Sequence, residues 1–100
     1  AVIDGLVLTA FTPQTITQPD ALKAVAEQGA RLHYCVENEE NEAGIVCFGA
    51  AVLDDAQCPI AAVSVSIPAF RLELDERIYA GPLVRCCERI SALLGWPGRA

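Results

Sequence analysis

Residues 44–54, GIVCFGAAVLD, and residues 60–67, IAAVSVSI, decide the fold. Each is an apolar run of strand length, and DDAQCP (54–59) between them has turn chemistry, two aspartates ahead of a proline. The spacing predicts a β-hairpin over 44–67, ended by Pro68. The first strand is apolar on both faces, which predicts that both faces are covered. Its centre is unusually small: Cys47, Gly49, Ala50 and Ala51 stand where a strand prefers branched side chains. Either another element packs closely there or space is kept for something. The thiol is then a nucleophile, a metal ligand, the wall of a pocket, or filler.

Outward from the hairpin, RLHYCVE (31–37) alternates and reads as a third strand. Leu32, Tyr34 and Val36 point one way; His33, Cys35 and Glu37 point the other. NEENEA (38–43) is an acidic, exposed loop. Upstream, a helix is expected at about 18–28, with Thr17 as N-cap, Asp20 in a capping-box-like place, and Gly29 as the stop. Leu22, Val25 and Ala26 form its apolar face. FTPQTIT (11–17) is a connection, and IDGLVLT (3–9) is either a short helix or extended chain. At the other end, LVRCCERISALLG (83–95) predicts a helix with Leu83, Cys86 or Cys87, Ile90 and Leu94 on one stripe. Pro82 suits its first turn, and Gly95 with Pro97 its end. ELDERIYAG (73–81) either extends this helix backwards or forms a separate turn. The order α-β-β-β-α, with strands adjacent in sequence, is that of an α+β fold with an antiparallel sheet.

One hundred residues make one domain at most, with a modest core. The apolar fraction of 53% is high for such a chain and predicts surface buried against a partner or against further chain. No apolar run reaches membrane-spanning length, and no signal peptide is visible. The sequence has no methionine, not even at its start, and reads as a piece of a longer protein. Thirteen acids against seven bases give a net charge of −6, which argues against this segment gripping phosphate backbones. Five cysteines, at 35, 47, 58, 86 and 87, are an odd number without a C-x-x-C spacing. They read as reduced thiols in the cytosol, acting as small hydrophobes, not as a disulfide framework.

The period-2 rule sorts the hairpin into faces. Ile45, Cys47, Gly49, Ala51 and Leu53 share one; Ile60, Ala62, Ser64 and Ser66 share another. If these coincide, the surface is a floor of small residues with one thiol and two hydroxyls, and Glu37 adds a carboxylate at one end. Such a floor suits a small polar ligand. The plainer alternative is a tightly packed helix over it, with the serines bonded locally. Cys47 as a nucleophile would need His33, the single histidine, as its base, and nothing orients that base. A site of Cys35, Cys47 and His33 lacks zinc spacing. No catalytic residue, metal or cofactor is therefore expected. Cys86 and Cys87, about 100° apart on a helix, cannot both face the core. Trp96 reads as a packing anchor.

Several stretches taken together resemble a known family. FTPQTIT (11–17), AVAEQGA (24–30), YCVENEENEAGIVCFGAAVLDD (34–55), PIAAVSVSIP (59–68) and CCERISALLG (86–95) are similar, in order and spacing, to the C-terminal half of the effector-binding domain of IclR-type bacterial transcriptional regulators. The resemblance implies a GAF- or profilin-like sensor: a curved antiparallel sheet with helices on its faces. It implies a small-molecule effector, typically an organic acid, and a homo-oligomer, dimer or tetramer. By position it carries ligand-binding roles to Glu37, Cys47, Ser64 and Ser66. It also implies that residues 1–100 are the later part of one effector-binding domain. DNA would then be contacted only by a winged helix-turn-helix outside this chain. Two departures stand out. Ile67 replaces a usual glycine and is expected to alter the pocket rim, and Gly49 replaces an alanine while preserving smallness. The competing expectations are a structural dimerisation domain without ligand and a cysteine-dependent enzyme.

Overall fold

The computed structural model describes residues 2–98. After a short 3-10 turn at Ile3–Gly5, the chain runs without regular structure to helix α1 (Pro19–Leu32). Three strands follow, β1 (Cys35–Asn38), β2 (Ile45–Leu53) and β3 (Pro59–Pro68). A second 3-10 turn (Ala69–Arg71) leads to helix α2 (Arg77–Leu93). The sheet is antiparallel throughout, in the order β1-β2-β3. The α+β class and the hairpin are as expected from the sequence. No described helix is long and apolar enough to cross a membrane.

The core lies between one face of the sheet and α2. Val46, Phe48, Ala50 and Val52 of β2 alternate into it, joined by Ile67 of β3 and by Ala80, Leu83 and Cys87 of α2. Phe48 is 1% exposed and stacks on Tyr79 with ring centroids 5.3 Å apart. Burying such side chains stabilises by about 1.5–3 kcal/mol each, so this layer carries most of the fold.

Local chemistry moves several boundaries. Helix α1 does not stop at Gly29 but runs on to Leu32 and ends at His33, whose φ of 68° is left-handed and whose N–H donates to Gly29 O at 2.8 Å. Gly29 is inside the helix because β1 passes so close: a Cβ there would stand 2.1 Å from Cys35 Sγ. Arg31 and Leu32 are thereby helical, and β1 is shorter than the alternation predicted. Thr17 does not cap α1. Gln18 is the N-cap without a side-chain bond, because Pro19 follows at the first helical position and needs no donor satisfied there. Helix α2 begins a turn earlier than Pro82 suggested. Asp75 Oδ1 accepts the Arg77 N–H at 3.1 Å, and Glu76 O accepts those of Tyr79 and Ala80, which starts the helix ahead of the proline. On α2 the buried stripe is Ala80, Leu83, Cys87 and Ser91; Cys86 and Leu94 are exposed.

The expectation that both faces of β2 are covered fails. Helix α2 has one apolar stripe and covers one face, while α1 packs against the start of β1. Among the described residues α2 leaves the second face uncovered, with Cys47 and Gly49 half-buried and Ala51, Ala62, Ser64 and Ser66 exposed, and α1 meets it at Cys35.

Candidate functional site

Strand pairing gathers the polar residues. In β1–β2 the register sets Glu37 opposite Cys47 and Cys35 opposite Gly49. In β2–β3 it sets Cys47 opposite Ser66, Gly49 opposite Ser64 and Ala51 opposite Ala62. Residues opposite one another in an antiparallel ladder share a face. The open face is therefore built of rows: Glu37–Cys47–Ser66, then Cys35–Gly49–Ser64, then Ala51–Ala62. The two period-2 sets coincide, and Glu37, Cys47, Ser64 and Ser66 stand on one surface.

Within the first row, Cys47 Sγ lies 3.2 Å from Ser66 Oγ, so thiol and hydroxyl are hydrogen-bonded between strands, and either can donate. Glu37 is half-buried, and its Oε1 accepts the Asn41 N–H at 2.5 Å. The rows hold one carboxylate, no lysine and no arginine. Their middle is empty of side chain: a Cβ on Gly49 would meet only Val63 O, at 4.0 Å. The floor thus offers two hydroxyls and two thiols as donors, a carboxylate as acceptor, and room above a glycine. Cys35 belongs to this surface; the sequence suggests it only as a metal ligand, although the alternation already places it beside Glu37.

A concavity of about 360 Å³ overlaps the floor at Cys35, Gly49 and Ala51, where β1 begins and the edge of β2 beyond it is free. Its walls are α1 at Gly29 and Ala30, the turn at His33, β1 at Cys35, β2 at Gly49, Ala50, Ala51 and Leu53, and α2 at Cys87 and Ser91. Glu37, Cys47, Ser64 and Ser66 do not line it. Ser91 is buried there. Its Oγ accepts the Leu53 N–H at 2.9 Å and donates to Cys87 O at 2.7 Å, at the point where the β2–β3 register shifts. Burial also pushes the Cys87 thiol above its ordinary pKa, with Cys86 alongside adding to the effect. Trp96 lines the same hollow.

Two sequence possibilities lose their geometry. His33 caps α1 and lies outside β1, so it is not the strand neighbour that a nucleophilic Cys47 would need. Among the described residues no group of three or more His, Cys, Asp or Glu is placed to hold a metal. Ile67 does not line the rim either. It is a ladder residue opposite Val46 and is buried in the core, because its parity turns it to the α2 side.

The Bacterial transcriptional regulator IclR C-terminal model matches residues 1–92. Among curated proteins, the HTH-type transcriptional repressor AllR of Escherichia coli K12 is 39% identical over 89 residues, 88% of this chain and 33% of the repressor. The chain thus spans about a third of the length of the curated relatives it matches. Among solved structures, the C-terminal domain of the E. coli transcriptional regulator KdgR superimposes with a TM-score of 0.85 at 33% identity, covering 95% of this chain and 58% of that one. The inducer-binding domain of a double mutant of the Acinetobacter transcription factor PobR, solved with 3-hydroxybenzoic acid, gives 0.78 at 26% identity, covering 91% and 53%. A match over nearly the whole chain, carried by the same strand order and helix placement, makes this chain a member of the IclR C-terminal family of bacterial transcriptional regulators.

Proposed function

We propose that this chain is the later part of a single effector-binding domain whose open sheet face receives a small organic acid. The observation that carries this reading is the convergence of Glu37, Cys47, Ser64 and Ser66 around Gly49 on the face that α2 leaves uncovered. The ligand carboxylate is held by neutral donors, the Ser64 and Ser66 hydroxyls, since an acidic floor repels an anion without them. Glu37 accepts a hydroxyl of the ligand. Cys47 is a reduced, unreactive wall that keeps the cleft narrow. The aromatic hydroxy acid bound by the PobR inducer-binding domain has both groups on one small molecule, which supports this class of effector.

Binding regulates only if the ligand favours one arrangement of the protein over another. The domain transmits this preference, through a homo-oligomer, to a DNA-binding domain outside the present chain; it is not an enzyme, and it works in the cytoplasm. The test is thermal shift of the intact protein against a panel of small keto, hydroxy and aromatic acids, 3-hydroxybenzoate included. At least one is expected to raise Tm by several degrees. No shift with any member would favour the alternative of a purely structural assembly domain, whose small-residue face is filled by another part of the protein.

A further inference from the structure

The segment ahead of α1 is tied to the acidic β1–β2 loop by two threonines. Thr12 Oγ1 donates to Glu39 O at 2.5 Å, and Thr15 Oγ1 donates to Glu40 O. Both hydroxyls are oriented for this from behind. Thr15 Oγ1 accepts the N–H groups of Phe11 and Thr12, at 3.0 and 2.9 Å, and Thr12 Oγ1 accepts that of Gln14 at 3.0 Å. The loop also ties itself: Glu40 accepts the Asn38 N–H, and Glu39 the Gly44 N–H.

One peptide unit links this clasp to the floor. The carbonyl of Glu40 and the N–H of Asn41 belong to the same planar, trans group, so they point in opposite directions. The carbonyl takes the Thr15 hydroxyl, and the N–H is donated to Glu37 Oε1. Fixing one end of a rigid plane fixes the other, and a hydrogen bond on the carbonyl polarises the N–H and strengthens its own bond. Glu37 in turn opens the row that continues through Cys47 to Ser66.

We infer that Thr15 is a positioning residue for Glu37, acting through the Glu40–Asn41 peptide from a segment outside the sheet. That this matters for effector selection rests on the function proposed above; the coupling itself does not, and its test needs no ligand. In the intact protein, labelled for NMR, Thr15→Val is expected to shift the Asn41 amide proton upfield. Its hydrogen exchange should quicken about tenfold or more, as befits a weakened bond to a carboxylate. Thr15→Ser, which keeps the hydroxyl, restores both. Glu37→Gln, read at the Glu40 carbonyl carbon and the Asn41 amide, gives the same answer from the other side and does not depend on Thr15→Val folding. The inference is overturned if Glu37→Gln moves neither signal. It is equally overturned if a folded Thr15→Val leaves the Asn41 amide as it was, or if Thr15→Ser behaves like the valine variant. An effector failing to shift Tm would count against the proposed function and leave this coupling intact.

Discussion

Cys47 Sγ stands 3.2 Å from Ser66 Oγ across the β2–β3 ladder, with Glu37 on the other side of the same cysteine in β1. One strand residue thus has a hydroxyl and a carboxylate as its two lateral neighbours, on a face that α2 does not reach. Large side chains would close that face. Here Gly49, Ala51 and Ala62 keep its middle low, while the branched residues beside them, Val46, Val52 and Ile67, turn to the core.

The approach of α1 to β1 rests on Gly29. Adding a Cβ places it 2.1 Å from Cys35 Sγ, so the sulfur or the helix must move. Gly29→Ala alone is expected to destabilise, although alanine is the better helix former by about 1 kcal/mol. In a Cys35→Ala background the same change is expected to be neutral or stabilising. Urea denaturation of the four proteins in this cycle would give a coupling of about 1 kcal/mol or more, and simple additivity would contradict the contact.

Ser91 does two things from a buried place, accepting the Leu53 N–H and donating to Cys87 O. Ser91→Ala leaves that strand N–H without a partner beneath the sheet. A loss of about 1–3 kcal/mol is expected in chemical denaturation, with no change in m-value. A loss within a few tenths would mean that Leu53 finds another acceptor.

The Tyr34 hydroxyl donates to Glu76 Oε1 at 2.6 Å, tying the residue before β1 to the N-cap of α2. That hydrogen bond, with a smaller contribution from burial, raises the phenol above its ordinary value of 10.0. A group whose folded pKa is raised stabilises fully below its unfolded pKa, and the contribution fades as pH rises through the folded value. Stability should therefore fall more steeply above about pH 10 in the parent than in Tyr34→Phe. Tm followed from about pH 8 to about pH 11 checks this, and parallel curves would contradict it.

The hairpin, its faces and the small-residue floor were legible in the sequence because a strand's period of two leaves one way to sort them. Once antiparallel pairing aligned Cys47 with Ser66, the floor followed. The helix boundaries were less legible, since they depend on contacts distant in sequence. Gly29 looks like a stop but is a close-packing site against Cys35. Pro82 looks like a first-turn residue, but Asp75 and Glu76 start the helix before it. The same holds for Ser91, which alternation on α2 cannot distinguish from a surface serine. The Thr12–Thr15 clasp was visible only as a threonine-rich connection, because its partners are loop carbonyls 25 and 27 residues away.

The account depends most on the open face being the effector site, and Gly49 offers the sharpest test of it. A Cβ there meets only Val63 O at 4.0 Å and points away from the core, so Gly49→Leu is expected to fill the floor and leave the core in place. The measurement is the effector-induced thermal shift of the intact protein in this variant. Ala30→Leu, which narrows the neighbouring hollow, serves as the control. Gly49→Leu is expected to keep the ligand-free Tm within about 2–4 °C of the parent and to lose the shift, while Ala30→Leu retains it. Gly49 borders the hollow as well, so the two variants are read together: a full shift in Gly49→Leu, or a shift lost in Ala30→Leu, would contradict the account.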